Sequence, residues 1–237
     1  MTVALNVKGK DSIIMAIDSR ASWKNTPVHN DQCRKIFILP NKVAISFSGS
    51  LTRVIFNKDT NEIISRYMDI NDLVYGLEHY PNSEYMTIAD TIEYVIRKFC
   101  SYFAGFTTQI HLGGAEEGNL VFVSMEFKNG EHIKNYPIPI DEYGFRFSGS
   151  DHEQIFSNMI TFTDQHPTIS YDEMAAALIQ KSNDELIAFT YNVIAEVMKE
   201  NVDKSKELQT VGGNIDIVQI TKDDTVWIRR DGKGIVK

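Results

Sequence analysis

Residues 2–22 read TVALNVKGKDSIIMAIDSRAS, and this stretch decides the fold. From Val3 to Val7 every second residue is large and apolar, which is the period of a half-buried β-strand. A turn signal at 8–11 and a second apolar run at 13–17 follow. The stretch therefore predicts a β-hairpin whose first strand begins at residue 2.

The chain beyond this hairpin alternates blocks of predicted strands with blocks of predicted helices. Pro40-Asn41 and Asn129-Gly130 are turn signals between strands, and Ser170 with Glu173 forms a predicted helix capping box. The predicted strands cover 34–39, 42–47, 107–112, 120–127, 131–138, 143–147, 215–220 and 225–230, and the predicted helices cover 51–68, 83–103, 151–162, 171–181 and 184–200.

The segregation of strands from helices indicates the fold class. Successive parallel βαβ units are not expected from this order, whereas two sheets packed face to face with helices outside them would satisfy it. We therefore predict an α+β fold. The sequence contains no internal repeat, low-complexity tract or linker, so residues 1–237 are expected to form a single domain.

The composition excludes several classes of protein. Of the 237 residues, 43% are hydrophobic and 24% are charged, as in an ordinary globular protein. The formal charge is 24 − 32 = −8 and no Lys/Arg run exceeds two residues, so a nucleic-acid partner is not expected. No apolar run approaches the roughly 20 residues of a membrane helix, and the first residues lack the features of a secretory signal.

The cysteines and histidines give little sign of a metal or cofactor. Cys33 and Cys100 are the only cysteines, which favours a reducing, cytoplasmic location, and Cys100 is expected in the core. Phosphate-binding, dinucleotide-binding and zinc-protease motifs are absent from the sequence, so we expect no cofactor and no metal. The histidines are scattered without ligand spacing and are expected at the surface or in packing: His29, His79, His111, His132, His152 and His166.

The most informative chemical feature is Thr2. Removal of Met1 would place a hydroxyl and a free amine on the same residue, and the amine could act as the base that activates its own Oγ. The amine is a base only when neutral, and a nearby positive charge would lower its pKa from the reference of about 7.7–8.0.

Lys35 and Asp18 could complete such a site. Lys35 starts a strand that we predict to pair near the N-terminal strand, and Asp18 ends the second strand of the hairpin. A lysine that points into a sheet needs a carboxylate partner. Taken singly, each of these residues also has an explanation without any catalytic role: Thr2 as a strand residue, Asp18 as a strand-end charge and Lys35 as an edge residue.

The combined pattern resembles the proteasome β-type subunits, the bacterial HslV peptidase and related bacterial proteasome-like proteins. The resemblance is carried by residues 2–22, by Arg34-Lys35, by SFSGS at 46–50, by FSGS at 147–150 and by VGGNIDI at 211–217. It extends in element order along almost the whole chain. It implies the four-layer αββα sandwich of the N-terminal nucleophile hydrolases.

The resemblance also implies roles for individual residues. Thr2 falls on the family nucleophile, Lys35 on the family lysine and Asp18 on the acidic residue that holds it. Arg20 falls on the arginine beside that acid. The N–H of Gly49 falls on the oxyanion-hole donor, and Ser148 falls on the serine that helps to hold the N-terminal amine.

The family further implies a threonine-type peptidase that acts on polypeptides within a homo-oligomeric ring or stacked assembly, with a possible ATP-dependent unfoldase partner. Two positions depart from the family, because Leu208 and Val211 stand where an Asp and a Ser usually contact the amine. These departures, and a retained Met1, would favour a non-catalytic assembly subunit as one alternative. A small-molecule amidase of the same fold is the other alternative.

Overall fold

The computed structural model describes residues 2–22, 29–57, 60, 63–149, 152–163, 166, 168–202 and 211–234. Within these ranges the chain has the α+β character predicted from the sequence. The strands are β1 (Val3–Lys8), β2 (Ile13–Asp18), β3 (Ala21–Ser22), β4 (His29–Asn30), β5 (Ile36–Ile38), β6 (Ala44–Gly49), β7 (Thr52–Phe56), β8 (Ile63–Asp69), β9 (Thr108–Glu116), β10 (Asn119–Lys128), β11 (Glu131–Ile138), β12 (Gly144–Gly149), β13 (Ile215–Ile220), β14 (Thr225–Arg230) and β15 (Lys233–Gly234). The α-helices are α1 (Ile70–Glu78), α2 (Ile88–Tyr102), α3 (His152–Thr163), α4 (Tyr171–Ile179) and α5 (Asn183–Val202), and a 3₁₀ turn covers Ser83–Tyr85.

Two antiparallel sheets carry most of the strands. The six-stranded sheet has the order β12-β1-β2-β13-β14-β15, and the five-stranded sheet has the order β11-β10-β9-β6-β5. The predicted N-terminal hairpin is confirmed, because Ala4 to Lys8 pair with Ile17 to Ile13. On its other side β1 pairs with β12, with Val3 opposite Gly149. The first strand therefore lies inside a sheet and not at its edge.

The prediction of a helix over 51–68 is wrong. Strands β7 and β8 pair with each other there, and Ile70 begins α1 only after Asp69 caps it by accepting a hydrogen bond from the Asn71 N–H. The sequence contains the reason in two β-branched and aromatic runs, at 54–56 and 63–64, separated by turn-forming polar residues. Such runs favour strands over helices.

Helices pack on each sheet through separate apolar clusters. The cluster of the five-stranded sheet includes Phe99, Phe106 and Phe127 together with residues of α1 and α2. Helices α3, α4 and α5 pack against the six-stranded sheet. The predicted capping box of Ser170 and Glu173 is confirmed at the start of α4. The prediction that Cys100 is buried is wrong, because it follows the buried Phe99 and so points about 100° away around α2.

A third cluster lies between the two sheets. It contains Met15 and Ile17 of β2, Phe122 of β10 and Val218 of β13 among others. Buried polar residues accumulate where β1 begins and β12 ends: Thr2, Ser48, His111 and Ser148. No helix of the described residues is long and apolar enough to cross a membrane.

Candidate active site

Thr2, Lys35 and Asp18 come into direct contact. The Lys35 Nζ donates to Thr2 Oγ1 at 2.9 Å and to Asp18 Oδ1 at 2.9 Å. Thr2 is 2% exposed, and the Lys35 and Asp18 side chains are fully buried. A buried lysine and carboxylate stabilise each other only in such close, hydrogen-bonded geometry. The arrangement holds a cationic donor against the hydroxyl of Thr2.

Lys35 reaches this site from the opposite sheet, so the prediction that its strand pairs near β1 is wrong. It directly precedes β5, which pairs with β6, and its carbonyl accepts from the Phe47 N–H at 2.9 Å. The side chain therefore crosses the space between the sheets to reach Thr2. Strand periodicity cannot give this placement, because it depends on how two sheets stack.

Asp18 is held by the surrounding backbone as well as by Lys35. Its Oδ1 also accepts from the Val3 N–H at 2.9 Å, and its Oδ2 accepts from the N–H groups of Arg20 at 3.2 Å and Gly212 at 3.1 Å. Multiple donors of this kind stabilise a buried carboxylate. Because Val3 follows Thr2 directly, the same carboxylate fixes the backbone next to the Thr2 hydroxyl.

Arg20 lies one step further from Thr2. Its guanidinium forms a two-point ion pair with Asp31, with Nε–Oδ1 at 2.6 Å and the second N–O distance at 3.0 Å. The hydrogen bond from Arg20 holds the pKa of the Asp31 carboxyl below its usual value. The backbone N–H of Arg20 also donates to the Gly212 carbonyl at 3.0 Å. Arg20 thus ties two neighbouring segments to the end of β2.

Gly49 and Thr2 line the same pocket, which has a volume of about 260 Å³. Gly49 has φ +104°, and a Cβ at this position would lie 2.4 Å from the Thr107 carbonyl oxygen. Gly149, with φ +129°, lines the pocket as well and approaches the Thr2 carbonyl so closely that no side chain would fit. Two glycines at left-handed φ thus form walls of the pocket beside Thr2.

Ser148 is fully buried, and its hydroxyl contacts two residues that the sequence did not suggest. It accepts a hydrogen bond from Ser48 Oγ at 2.7 Å and lies 2.9 Å from His111 Nε2. Burial, with a smaller effect of Arg146, lowers the pKa of His111 to about 4. The sequence held no signal for this histidine, because only the stacking of the sheets brings β9 against β12.

Of the two positions that differ from the proteasome β-type pattern, Leu208 and Val211, the structure describes only Val211. Val211 is buried in the apolar cluster beneath α5, and its carbonyl accepts from Asn201 Nδ2 at 2.7 Å. Its isopropyl group supplies no hydroxyl there. Leu208 and Met1 lie outside the described residues. Among those that are described, no group of three or more His, Cys, Asp or Glu side chains could hold a metal ion.

The comparison with protein families gives one match, and the matched residues include most of this site. A family model described as proteasome subunit matches residues 2–102, which include Thr2, Asp18, Lys35 and Gly49. No curated protein matches the chain. The match supports a proteasome-type subunit, and the mixed strands and helices fit the α+β fold of the N-terminal nucleophile type.

Proposed function

We propose that this chain is an N-terminal threonine peptidase that hydrolyses amide bonds after Met1 is removed. The observation that carries the proposal is the contact of Lys35 Nζ with both Thr2 Oγ1 and Asp18 Oδ1 in a buried setting. We further propose that residues 1–237 form one domain with four αββα layers. The separate apolar clusters on the outer face of each sheet and between the sheets support this arrangement.

The proposed reaction uses the free Thr2 amine as general base. The amine takes the proton from Oγ1 as Oγ1 attacks the substrate carbonyl, and it later returns a proton to the leaving amine. Lys35 donates to Oγ1 and so stabilises the developing alkoxide, and its charge lowers the pKa of the amine. Asp18 keeps Lys35 in place.

The Gly49 N–H has the proposed role of donor to the oxyanion of the tetrahedral intermediate. A fixed backbone donor of this kind is one of the largest contributions to acyl transfer. The acyl group then rests on Thr2 Oγ1 until water, activated by the amine, releases it. The reaction needs no cofactor in this scheme.

We propose polypeptides as substrates and a homo-oligomeric ring or stacked assembly as the working form. The proteasome-subunit similarity of residues 2–102 supports both. An ATP-dependent unfoldase would be the corresponding partner. A small-molecule amidase of the same fold would instead act without a ring, so native mass spectrometry separates these two possibilities.

The test begins with intact mass, which identifies protein that has lost Met1. In that protein Thr2→Ala is expected to abolish hydrolysis of fluorogenic peptides, and Thr2→Ser is expected to retain part of it because serine keeps the hydroxyl and the amine. Thr161→Ala, at an exposed position of α3, is the matched control and should leave activity unchanged. Equal activity of Thr2→Ala and the wild type would refute the proposal.

A non-catalytic subunit of a proteasome-like assembly is the second candidate. It is favoured by Val211, which is 1% exposed and places an apolar group where the resemblance to proteasome β-type subunits implies a serine. This candidate predicts a ring without hydrolysis even when Met1 has been removed. Peptide hydrolysis that depends on Thr2 would exclude it.

A further inference from the structure

Ser48, Ser148 and His111 form a buried hydrogen-bonded chain between the two sheets. The Ser48 hydroxyl donates to Ser148 Oγ at 2.7 Å, and Ser148 Oγ lies 2.9 Å from His111 Nε2. The three residues are at most 3% exposed. Ser48 and His111 belong to β6 and β9 of the five-stranded sheet, whereas Ser148 belongs to β12 of the six-stranded sheet. The chain of bonds therefore joins the sheets.

Each serine directly precedes a glycine of the Thr2 pocket. Ser48 precedes Gly49, and Ser148 precedes Gly149. Gly149 lies opposite Val3 in the β1–β12 pairing and contacts the Thr2 carbonyl. The bond between the serines thus fixes the distance between the strand that carries Gly49 and the strand beside Thr2.

The ring of His111 is suited to end this chain as an acceptor. Burial keeps the ring neutral, and the positive charge of Arg146 on β12 acts in the same direction. Because Ser148 already accepts from Ser48, its own proton can be donated to Nε2, and the ring proton then lies on Nδ1, which has no hydrogen-bond partner among the described residues. The opposite direction would leave both the Ser148 proton and the Nδ1 lone pair without a partner. A buried hydroxyl without an acceptor would be costly, so His111 orients Ser148.

We propose that Ser48, Ser148 and His111 act as a positioning clasp that holds the Gly49 N–H in register with Thr2 Oγ1. Ser48 also lines the Thr2 pocket, but the role proposed for the clasp is to position Gly49 and not to take part in bond breaking. The clasp rests on the proposed peptidase function. A displacement of about 1 Å between a nucleophile and its oxyanion donor costs about 100-fold in rate. Loss of the clasp should therefore lower kcat much more than it changes KM.

The test compares His111→Leu with His111→Gln in protein shown to lack Met1. Leucine removes the acceptor, whereas the glutamine amide oxygen can still accept from Ser148. We expect His111→Leu to lower kcat by about 10- to 100-fold with a small change in KM, and His111→Gln to recover most of the loss. Equal losses in both variants would show a packing role and overturn the clasp, as would wild-type kcat in His111→Leu.

Ser48→Ala provides a second route if His111→Leu fails to fold, because it deletes a single oxygen. Ser48→Ala should also lower kcat more than it changes KM. Ser48→Ala should lower kcat by the same factor in the His111→Gln variant as in the wild type. When His111→Leu folds, adding Ser48→Ala to it should lower kcat little further, since both changes break one chain of bonds. Fully additive losses would contradict a shared clasp.

Wild-type activity separates the two proposals. A wild type that hydrolyses peptides through Thr2, with a Ser48→Ala variant of unchanged kcat, refutes the clasp alone. A wild type without Met1 and without hydrolysis refutes the peptidase function, and the clasp as a catalytic positioning device is then refuted with it.

Discussion

The space between the two sheets has an apolar region and a polar region. Around β2 and β13 it is filled by side chains such as Met15, Ile17 and Val218. Around the beginning of β1 and the end of β12 it holds Thr2 and Ser148 with their polar partners. The side chains named in both regions are buried, so the difference between the regions lies in the chemistry of these residues and not in their burial.

The apolar region contributes mainly to the stability of the fold, and the polar region contributes mainly to the geometry around Thr2. Apolar side chains stabilise the fold in proportion to the area they bury, at about 25 cal/mol per Å², and tolerate changes of shape that keep volume. Buried polar groups gain little net free energy, but each needs a particular partner at a particular distance. The apolar region therefore holds the sheets together, and the polar region fixes where the groups around Thr2 lie.

The largest effect is expected from Lys35→Ala in the polar region. The change leaves the Asp18 carboxylate buried without its cationic partner, so the free energy of unfolding should fall by about 3–5 kcal/mol. Hydrolysis should fall by more than about 100-fold. Urea unfolding and peptide assays measure the two losses.

The matched control is Lys42→Ala, which removes an exposed ion pair with Asp224 at 3.2 Å. It should cost less than about 1 kcal/mol and leave hydrolysis unchanged. Equal losses in the two lysine variants would contradict a special role for the buried pair.

Met15→Ala tests the apolar region. Truncation of this fully buried side chain should lower the free energy of unfolding by about 2–5 kcal/mol. The kcat of the folded variant should stay at the wild-type value, because Met15 lies in the cluster around β2 and β13. Met15→Leu keeps the volume and should cost less than about 1.5 kcal/mol. A fall in kcat comparable with that of Lys35→Ala would show that the two regions are coupled.

The smallest effect is expected at the Arg20–Asp31 pair, at the edge of the polar region. The pKa of Asp31 is lowered in the fold, so the pair stabilises the protein above the ordinary value of 3.8 and this contribution disappears as the pH falls below it. Because the Asp31 side chain is 41% exposed, solvent screening keeps the contribution below about 1 kcal/mol.

Thermal unfolding of Asp31→Asn at neutral and acidic pH checks this sign. The variant should be slightly less stable than the wild type at pH 7 and equal to it at low pH. Asp11→Asn, at an exposed turn position, should show no such difference. A difference in melting temperature between Asp31→Asn and the wild type that grows toward low pH would contradict the expected sign.

Most elements of the fold could be predicted from local patterns. The hairpin from Val3 to Asp18 and the helix that begins after Ser170 have alternation, turns and caps within a few residues, and both are confirmed. The segment 51–68 was predicted as a helix and forms two strands. Its apolar residues fit a helical spacing, but pairing of β7 with β8 outweighs that local pattern.

The candidate site could be predicted only in part. The sequence singled out Thr2, Asp18 and Lys35, and these residues are in contact. It placed Lys35 near the wrong sheet. His111 is buried in packing, which is within the expectation for the histidines, but its contact with Ser148 was not predicted. Both differences concern contacts between strands that are far apart in the chain.

The sequence by itself singled out Thr2, Asp18 and Lys35 as candidate site residues and predicted most of the local elements around them, because alternation, turn signals and caps act over a few positions. Only the tertiary structure decided that Lys35 approaches Thr2 from the opposite sheet and that Ser48 and His111 meet Ser148. The physical reason is that a buried charge or hydroxyl must find a partner across the sheet interface. The stacking of the sheets determines which partner is within reach.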